Sequence, residues 1–374
     1  MKGAHMKRRT LLGLASGAAL SAALPAFGRK IKPLKILVLG GTRFIGLHMT
    51  ALALQRGHTL TFFNRGKTKT DRYPEVERIK GDRDNQVDGL KDREWDVVID
   101  NSGYVPRHVR LTAELLAPKV RQYVFTSSIS VYPDFSVPRD EKSPVGKLAD
   151  ETVEKVDGET YGPLKALCEQ AADKALPGRT TIIRPGLIVG PDDNTDRFTW
   201  WPARAARGGE FIAPGAPQDP FQVIDARDLA AFTINAIEKN ITGTYNLVSN
   251  ANGFRFGELT DASIASAIQR AKPADTPRAT WLPADFLAAQ EVAPWSEMPV
   301  WLPATGEEAA FAGTSNAAAV AKGLTITPIA KTVDDTMAWH LTRPAEEREK
   351  LKAGIEPEKE TRVLAAWKTR AASG

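Results

Sequence analysis

One cysteine, Cys168, stands among 374 residues, so no intramolecular disulfide can form, and an oxidising compartment is tolerated but not exploited. The five histidines, His5, His48, His58, His108 and His340, have no ligand spacing, so no metal centre is expected. Charge of one sign is also scarce: 50 Lys and Arg against 45 Asp and Glu leave a formal +5. Part of that belongs to the two ends of the chain, which leaves no sign of a nucleic-acid stripe. Internal repeats and low-complexity linkers are missing, and the length permits one large domain with a lobe attached.

Lys7-Arg8-Arg9-Thr10-Leu11-Leu12 leads into Gly13 to Leu24, an uncharged stretch of small and apolar residues too short to span a membrane comfortably. A charged start, an apolar middle and a small-residue end describe a secretory signal, and the paired arginines resemble the twin-arginine route. An Ala-rich buried helix is the alternative. Residues 1–30 are expected to be a signal with extra residues ahead of Met6, cleaved near Ala23 or Ala26. The mature protein is then exported to the periplasm without a stable membrane anchor.

Lys35 to Leu39 is a short apolar run ending in Gly40-Gly41, as in a buried parallel strand, and apolar residues recur at helical spacing from Phe44 to Gln55. Strand, tight turn and helix are the elements on which a dinucleotide pyrophosphate sits, and Gly40, Gly41, Thr42, Arg43, Phe44, Ile45 and Gly46 would form the cradle. Arg43 occupies the place of the usual middle glycine, where it would either block the loop or lie along the phosphates. The next strand, Thr59 to Phe63, ends at Asn64-Arg65, where an NAD-selective fold carries a carboxylate. None is present, and Arg65 and Lys67 could instead pair with the 2′-phosphate of NADP, so NADP is preferred over NAD. Val76 to Asp82 and Trp95 to Asn101-Ser102-Gly103 are further strands with polar ends.

Tyr161 and Lys165 lie one above the other on a helix by their four-residue spacing, so the ammonium could stabilise the phenolate. A hydroxyl from Ser128 could hold a substrate oxygen while Tyr161 takes or gives the proton, which is general acid/base catalysis beside a redox centre. Cys168 shares their stripe and suits a small buried role.

Taken in chain order, the Gly40 to Gly46 loop, Asp82, Val124 to Tyr132, Tyr161 with Lys165, Ile183 to Pro191 and Phe221 to Ala230 resemble the extended or atypical short-chain dehydrogenase/reductases of the NAD-dependent epimerase/dehydratase kind. The resemblance spans roughly residues 35 to 340 and implies an α/β fold, a doubly wound parallel sheet with a smaller carboxy-terminal substrate lobe. It implies Ser128 as catalytic hydroxyl, Tyr161 as acid/base and Lys165 as the residue that also holds the nicotinamide ribose. By the same resemblance Asp82 lies near the adenine, Asn101, Ser102 and Gly103 line the cofactor, and Pro185 and Gly186 approach the nicotinamide side. The Gly-Gly-Thr-Arg-Phe-Ile-Gly loop is similar to an atypical subgroup that includes chloroplast RNA-binding members. Dehydratases of this kind carry Asp-Glu after the catalytic hydroxyl, whereas Ile129-Ser130 stands here, which argues against elimination.

Export restricts the chemistry further. Without a ready nicotinamide pool, an exported enzyme should hold its cofactor tightly and regenerate it in each turnover, as an epimerase acting on a sugar or glycoside does. A net reductase or dehydrogenase, and a non-catalytic nucleotide- or RNA-binding relative, are the competing readings. Phe198, Trp200, Trp201 and Arg204 are expected to face substrate, joined by Tyr104, Ser130 and Arg227. Residues 34–190 would bind the dinucleotide, and 191–343 would complete the sheet and form the substrate lobe. Residues 344–374 would be a helical tail docked by its apolar end. A homodimer is compatible with this reading.

Overall fold

The computed structural model describes residues 32–68 and 71–373; the signal expected over 1–30 lies outside the described residues. In chain order the first elements are β1 (Lys35–Leu39), α1 (Ile45–Gln55), β2 (Thr59–Asn64), β3 (Glu77–Lys80), β4 (Val97–Asp100), α2 (Pro106–Leu116), β5 (Gln122–Thr126), α3 (Tyr161–Ala175) and β6 (Thr180–Pro185). The chain continues through β7 (Leu187–Val189), α4 (Trp200–Ala206), β8 (Glu210–Pro214), β9 (Pro220–Phe221), β10 (Val223–Asp225), α5 (Ala226–Lys239), β11 (Gly243–Leu247), β12 (Phe254–Arg255), α6 (Phe256–Arg270) and β13 (Arg278–Leu282). Helices α7 (Ala284–Ala289), α8 (Ala317–Ala321), α9 (Ile329–Leu341), α10 (Ala345–Glu349) and α11 (Pro357–Ser373) complete it.

Seven strands form one parallel sheet in the order β11-β6-β5-β4-β1-β2-β3. Its central strands are apolar on both faces because both are covered. Met49 and Ala53 of α1 and Leu229, Phe232 and Ile237 of α5 close one face, and Val109, Ala113 and Leu116 of α2 with Cys168 and Ala172 of α3 close the other. Strand order reverses between β1 and β4, so the loops leaving their carboxyl ends, Gly40–Gly46 and Asn101–Gly103, diverge around a crevice, the ligand position of open α/β sheets.

The carboxy-terminal lobe has a separate core built on α4, α6 and the parallel pair β8 and β13. Here the aromatic set expected to face substrate is corrected. Phe198 and Trp201 are fully buried in that core, Trp201 donates its indole N–H to Pro299 O at 2.9 Å, and Trp200 meets Trp201 edge to face. Arg204 is buried as well, paired with Glu360 at 2.6 Å and bonded to Gly208 O and Glu210 O. Aromatic residues among prolines and glycines look alike whether they line a cleft or fill a lobe, and area burial decides for the core. Glu360 brings α11 onto the lobe, where Val363 and Leu364 are buried.

Arg227 is corrected too: its guanidinium is held by Asp225 and Asp335 and is not free for a substrate. Asp225 caps α5 through Arg227 N at 2.8 Å, and Asp228 in its first turn binds Thr327 N and Oγ1 at 2.7 and 2.8 Å. Among the described residues no helix is long and apolar enough to cross a membrane, and no cluster of His, Cys, Asp or Glu could hold a metal ion.

His340, buried on α9 with Arg343 3.4 Å from its ring, has its pKa pushed down from 6.5 to about 4, first by burial and then by that guanidinium. As pH falls through this window the unfolded chain gains a proton that the folded chain refuses, so stability drops by roughly 3 kcal/mol and then levels off. Urea titrations between these pH values should show the loss in the wild type and not in His340→Gln; equal acid sensitivity would contradict the assignment.

Candidate active site

The glycine loop passes from β1 into α1 by close backbone contact. A Cβ on Gly46 would lie 2.5 Å from Gly41 Cα and 2.6 Å from its carbonyl carbon, so the first turn of α1 rests directly on the loop. Helix α1 starts with neither a side-chain cap nor an acidic residue in its first turn, which leaves its amide donors and positive end for an anion. Arg43 does not block this loop. The positive φ, 33°, falls on Phe44, while Arg43 has an ordinary backbone and an exposed side chain. Thr42 is buried beneath it, and Ile45 packs partly against the sheet core.

Across the crevice, Ser102 lies 3.4 Å from where a Cβ on Gly40 would be. The Asn101–Gly103 loop is set by a buried ion pair that the sequence did not announce: Arg83 grips Asp100 at 2.6 and 2.8 Å and also bonds Thr112 Oγ1 and His108 O. Tyr123 donates to the same carboxylate at 2.7 Å, and Asp100 accepts from Ser102 N at 3.1 Å. Asn101 Oδ1 accepts from Thr126 Oγ1 at 2.7 Å. Asp82 forms a turn with Asp84 N before Arg83 inserts. At the end of β2, Asn64 accepts from Gly66 N at 2.9 Å, but its buried Nδ2 has no acceptor among the described residues. Arg65 and Lys67 are exposed beside it.

Ser128, Tyr161 and Lys165 converge at the carboxyl end of β5. Asp157 accepts from Glu159 N and Thr160 N and so sets the start of α3, and Gly162 packs so near Ser130 O that a Cβ there would lie 2.0 Å away. That contact places Tyr161 over the turn after Ser128. The Ser128 hydroxyl accepts from Ser130 N and meets Ser130 Oγ, both at 3.0 Å. Burial raises the Tyr161 phenol above its usual 10, opposed first by a hydrogen bond from Ser128 and then by the charge of Arg197. A cavity of about 650 Å³ opens beside it, lined by Ser130, Phe135 and Tyr161 among others. Tyr104 is half exposed, with its ring 5.4 Å from the Lys165 ammonium.

Lys165 departs from the expected proton-transfer pairing. It lies on the Tyr161 face of α3, yet its buried ammonium donates to Gly103 O at 2.7 Å and Thr126 O at 2.6 Å and sits 4.2 Å above the Phe125 ring. Burial lowers its pKa to about 8, with Cys168, Asp100 and Glu169 opposing. The phenol is therefore governed first by burial, and the groups that draw it back down are Ser128 and then Arg197 rather than the lysine. Cys168 is buried and its thiol is pushed up to about 12 by burial. One turn beyond Lys165, Glu169 takes a hydrogen bond from Ser127 Oγ at 2.5 Å and a two-pronged bond from Arg184 at 2.6 and 2.9 Å. A glutamate one turn after Lys165, among the small apolar residues of α3, was the available signal for this network. Pro185 ends β6, and Gly186 N bonds Leu247 O at 3.2 Å.

A crevice at a strand-order switch, an anion-ready helix end and a serine–tyrosine pair over a pinned lysine define the class, a nucleotide-dependent oxidoreductase of the short-chain dehydrogenase/reductase type. The profile of the NAD dependent epimerase/dehydratase family matches residues 36–248, more than half of the chain, and the chain belongs to that family. It is 29% identical over 227 residues to the chloroplast stem-loop binding protein of 41 kDa b of Arabidopsis thaliana, a match that takes in 54% of this chain and 55% of that relative's length. A UDP-glucose 4-epimerase structure superposes with a TM-score of 0.61 at 16% identity, covering 83% of this chain and 98% of that one. Human epimerase family protein SDR39U1 (isoform2) with NADPH gives 0.52 at 21% identity, covering 81% and 99%. At these identities the structural likeness is one of fold.

Gly46→Ala tests the loop. With backbone on the far side of the added methyl, strain of roughly 1–3 kcal/mol is expected, read by denaturant titration, together with loss of dinucleotide retention. Unchanged stability and cofactor content would contradict the contact.

Proposed function

We propose that the protein is an NAD(P)-dependent epimerase-type oxidoreductase that oxidises a hydroxyl carbon of a sugar or glycoside and restores it within the same turnover. The observation that carries this is the meeting of Ser128 and Tyr161 hydroxyls beside the glycine-loop crevice. The residues present fit a dinucleotide: α1 offers an uncapped amino terminus, Gly46 lets the loop lie flat on it, and Asn64 Nδ2 is a buried donor with no acceptor among the described residues. Gly40 to Gly46 would hold the pyrophosphate, Asn64 with Arg65 and Lys67 the adenosine end, and Lys165 with Asn101 to Gly103 the nicotinamide half. Arg65 and Lys67, with no carboxylate beside them, favour NADP. Bound there, the nicotinamide supplies reversible hydride transfer.

Ser128 holds the substrate oxygen and Tyr161 exchanges its proton. Lys165 keeps Gly103 and Thr126 in place and remains largely protonated at neutral pH. Elimination is disfavoured because the residues after Ser128 are buried Ile129 and the hydroxyl of Ser130, with no carboxylate beside the pair. The Lys7 to Leu24 pattern supports export to the periplasm by the twin-arginine route, where a retained cofactor and a redox-neutral cycle suit the supply. Mass spectrometry of molecules released on denaturing the purified protein should find NADP or NAD; protein released bare, and turning over only with added reductant, would mean a net reductase.

Tyr161→Phe should lower turnover by about a hundred- to ten-thousandfold while cofactor stays bound; unchanged behaviour would indicate a binding protein without catalysis. Because the phenol is held above 10, its base form grows with pH, so hydroxyl oxidation should climb from about pH 6 to about pH 9. A plateau at neutrality in a pH–rate profile would show that another group is the base.

A further inference from the structure

The correction at Phe198, Trp201 and Arg204 leaves the substrate side of the site without its expected aromatics and cation. The fold supplies others. Phe135, on the cavity wall with Ser130 and Tyr161, stacks on Phe311 with ring centroids 5.2 Å apart. Phe311 meets the Trp295 ring edge-on at 5.5 Å, and the Arg197 guanidinium lies over that same ring, 5.5 Å from its centroid. The strip returns to the hydroxyl pair, since Arg197 is near enough to Tyr161 for its charge to act on the phenol. Phe135, Trp295 and Phe311 are all only half-buried, unlike the core aromatics of the lobe.

Arg197 differs from the other buried arginines of the lobe. Arg204 and Arg343 each grip a carboxylate, at 2.6 and 2.8 Å. Arg197 has only Thr195 Oγ1, 3.2 Å from its Nε, and among the described residues no carboxylate comes within ion-pair distance of it. The acid whose charge acts on it, Asp193, is buried and turned to Thr195 N and Oγ1, both at 2.8 Å. A half-buried guanidinium with its fork unspent, seated on an aromatic face beside an acid/base pair, is a receptor for a planar or tetrahedral oxyanion. The aromatic strip adds a flat apolar face for a sugar ring.

We infer that Arg197 and the Phe135–Phe311–Trp295 strip form a subsite for a sugar that carries an oxyanion, carboxylate or phosphate, close to the carbon on which Ser128 and Tyr161 act. This rests on the enzymatic reading above and deepens it by naming the substrate class. Arg197 anchors the anionic group and orients the ring, and its charge also favours the phenolate of Tyr161. The groups acting on that phenol besides Ser128 and Arg197 are Tyr104 and Cys168, both of which oppose ionisation.

The test uses cofactor-loaded protein and three probes, glucose, glucuronate and glucose 6-phosphate, with binding followed by tryptophan fluorescence and calorimetry. At least one charged probe should bind roughly ten- to a hundredfold more tightly than glucose, and the better of the two identifies the oxyanion. Arg197→Met should erase that preference, bringing the charged probes down to the affinity of glucose. Arg197→Lys, which keeps the charge but not the fork, should restore part of it. Arg197→Met should also move the alkaline rise of hydroxyl oxidation to higher pH, a change that loss of packing alone would not cause. Equal binding of charged and neutral probes by the wild type, or a preference that survives in Arg197→Met, overturns the subsite. The enzymatic reading fails separately, on bare protein at denaturation or an unaffected Tyr161→Phe.

Discussion

A buried ammonium joins the parts of this site. Lys165 lies in α3, yet its hydrogen bonds go to the carbonyl that follows the β4 loop, Gly103 O, and to the end of β5, Thr126 O. Burying a cation costs several kcal/mol unless dipoles replace water, and two short carbonyl bonds with a ring face 4.2 Å away do so only in part. The residual cost appears as a pKa of about 8. A helix, a loop and a strand end are thereby held in one geometry, and Ser128, two residues beyond Thr126, is carried to Tyr161, four residues before Lys165.

Two other buried ionic networks support that staple from below. Arg83, Asp100 and Tyr123 fix the loop whose Gly103 the lysine holds, and Glu169 with Arg184 fixes the strand end beside Ser127. Breaking a buried pair by removing one partner leaves an uncompensated charge, so such networks favour one arrangement over near alternatives. These networks fix the backbone that carries Ser128.

Much of the fold was readable in the chain. Lys35 to Leu39 and Thr59 to Phe63 became strands because runs of β-branched and apolar residues bury well on both faces of a parallel sheet. The glycine loop and the Ser128, Tyr161 and Lys165 motifs were visible because each is local. Arg83 with Asp100, Glu169 with Arg184 and Arg197 over Trp295 were not, since their partners lie 15 to 98 residues away and no period links them.

By itself the sequence determined the alternation of strands and helices in the dinucleotide-type half, the glycine turn and the candidate hydroxyls Ser128 and Tyr161, since these depend on period, on glycine and on residues adjacent in the chain. Tertiary structure decided which aromatics fill the lobe, where the ammonium of Lys165 spends its bonds, and that Arg197 has no carboxylate within ion-pair distance among the described residues. Those outcomes turn on burial and on distances between remote segments, and local patterning carries no record of either.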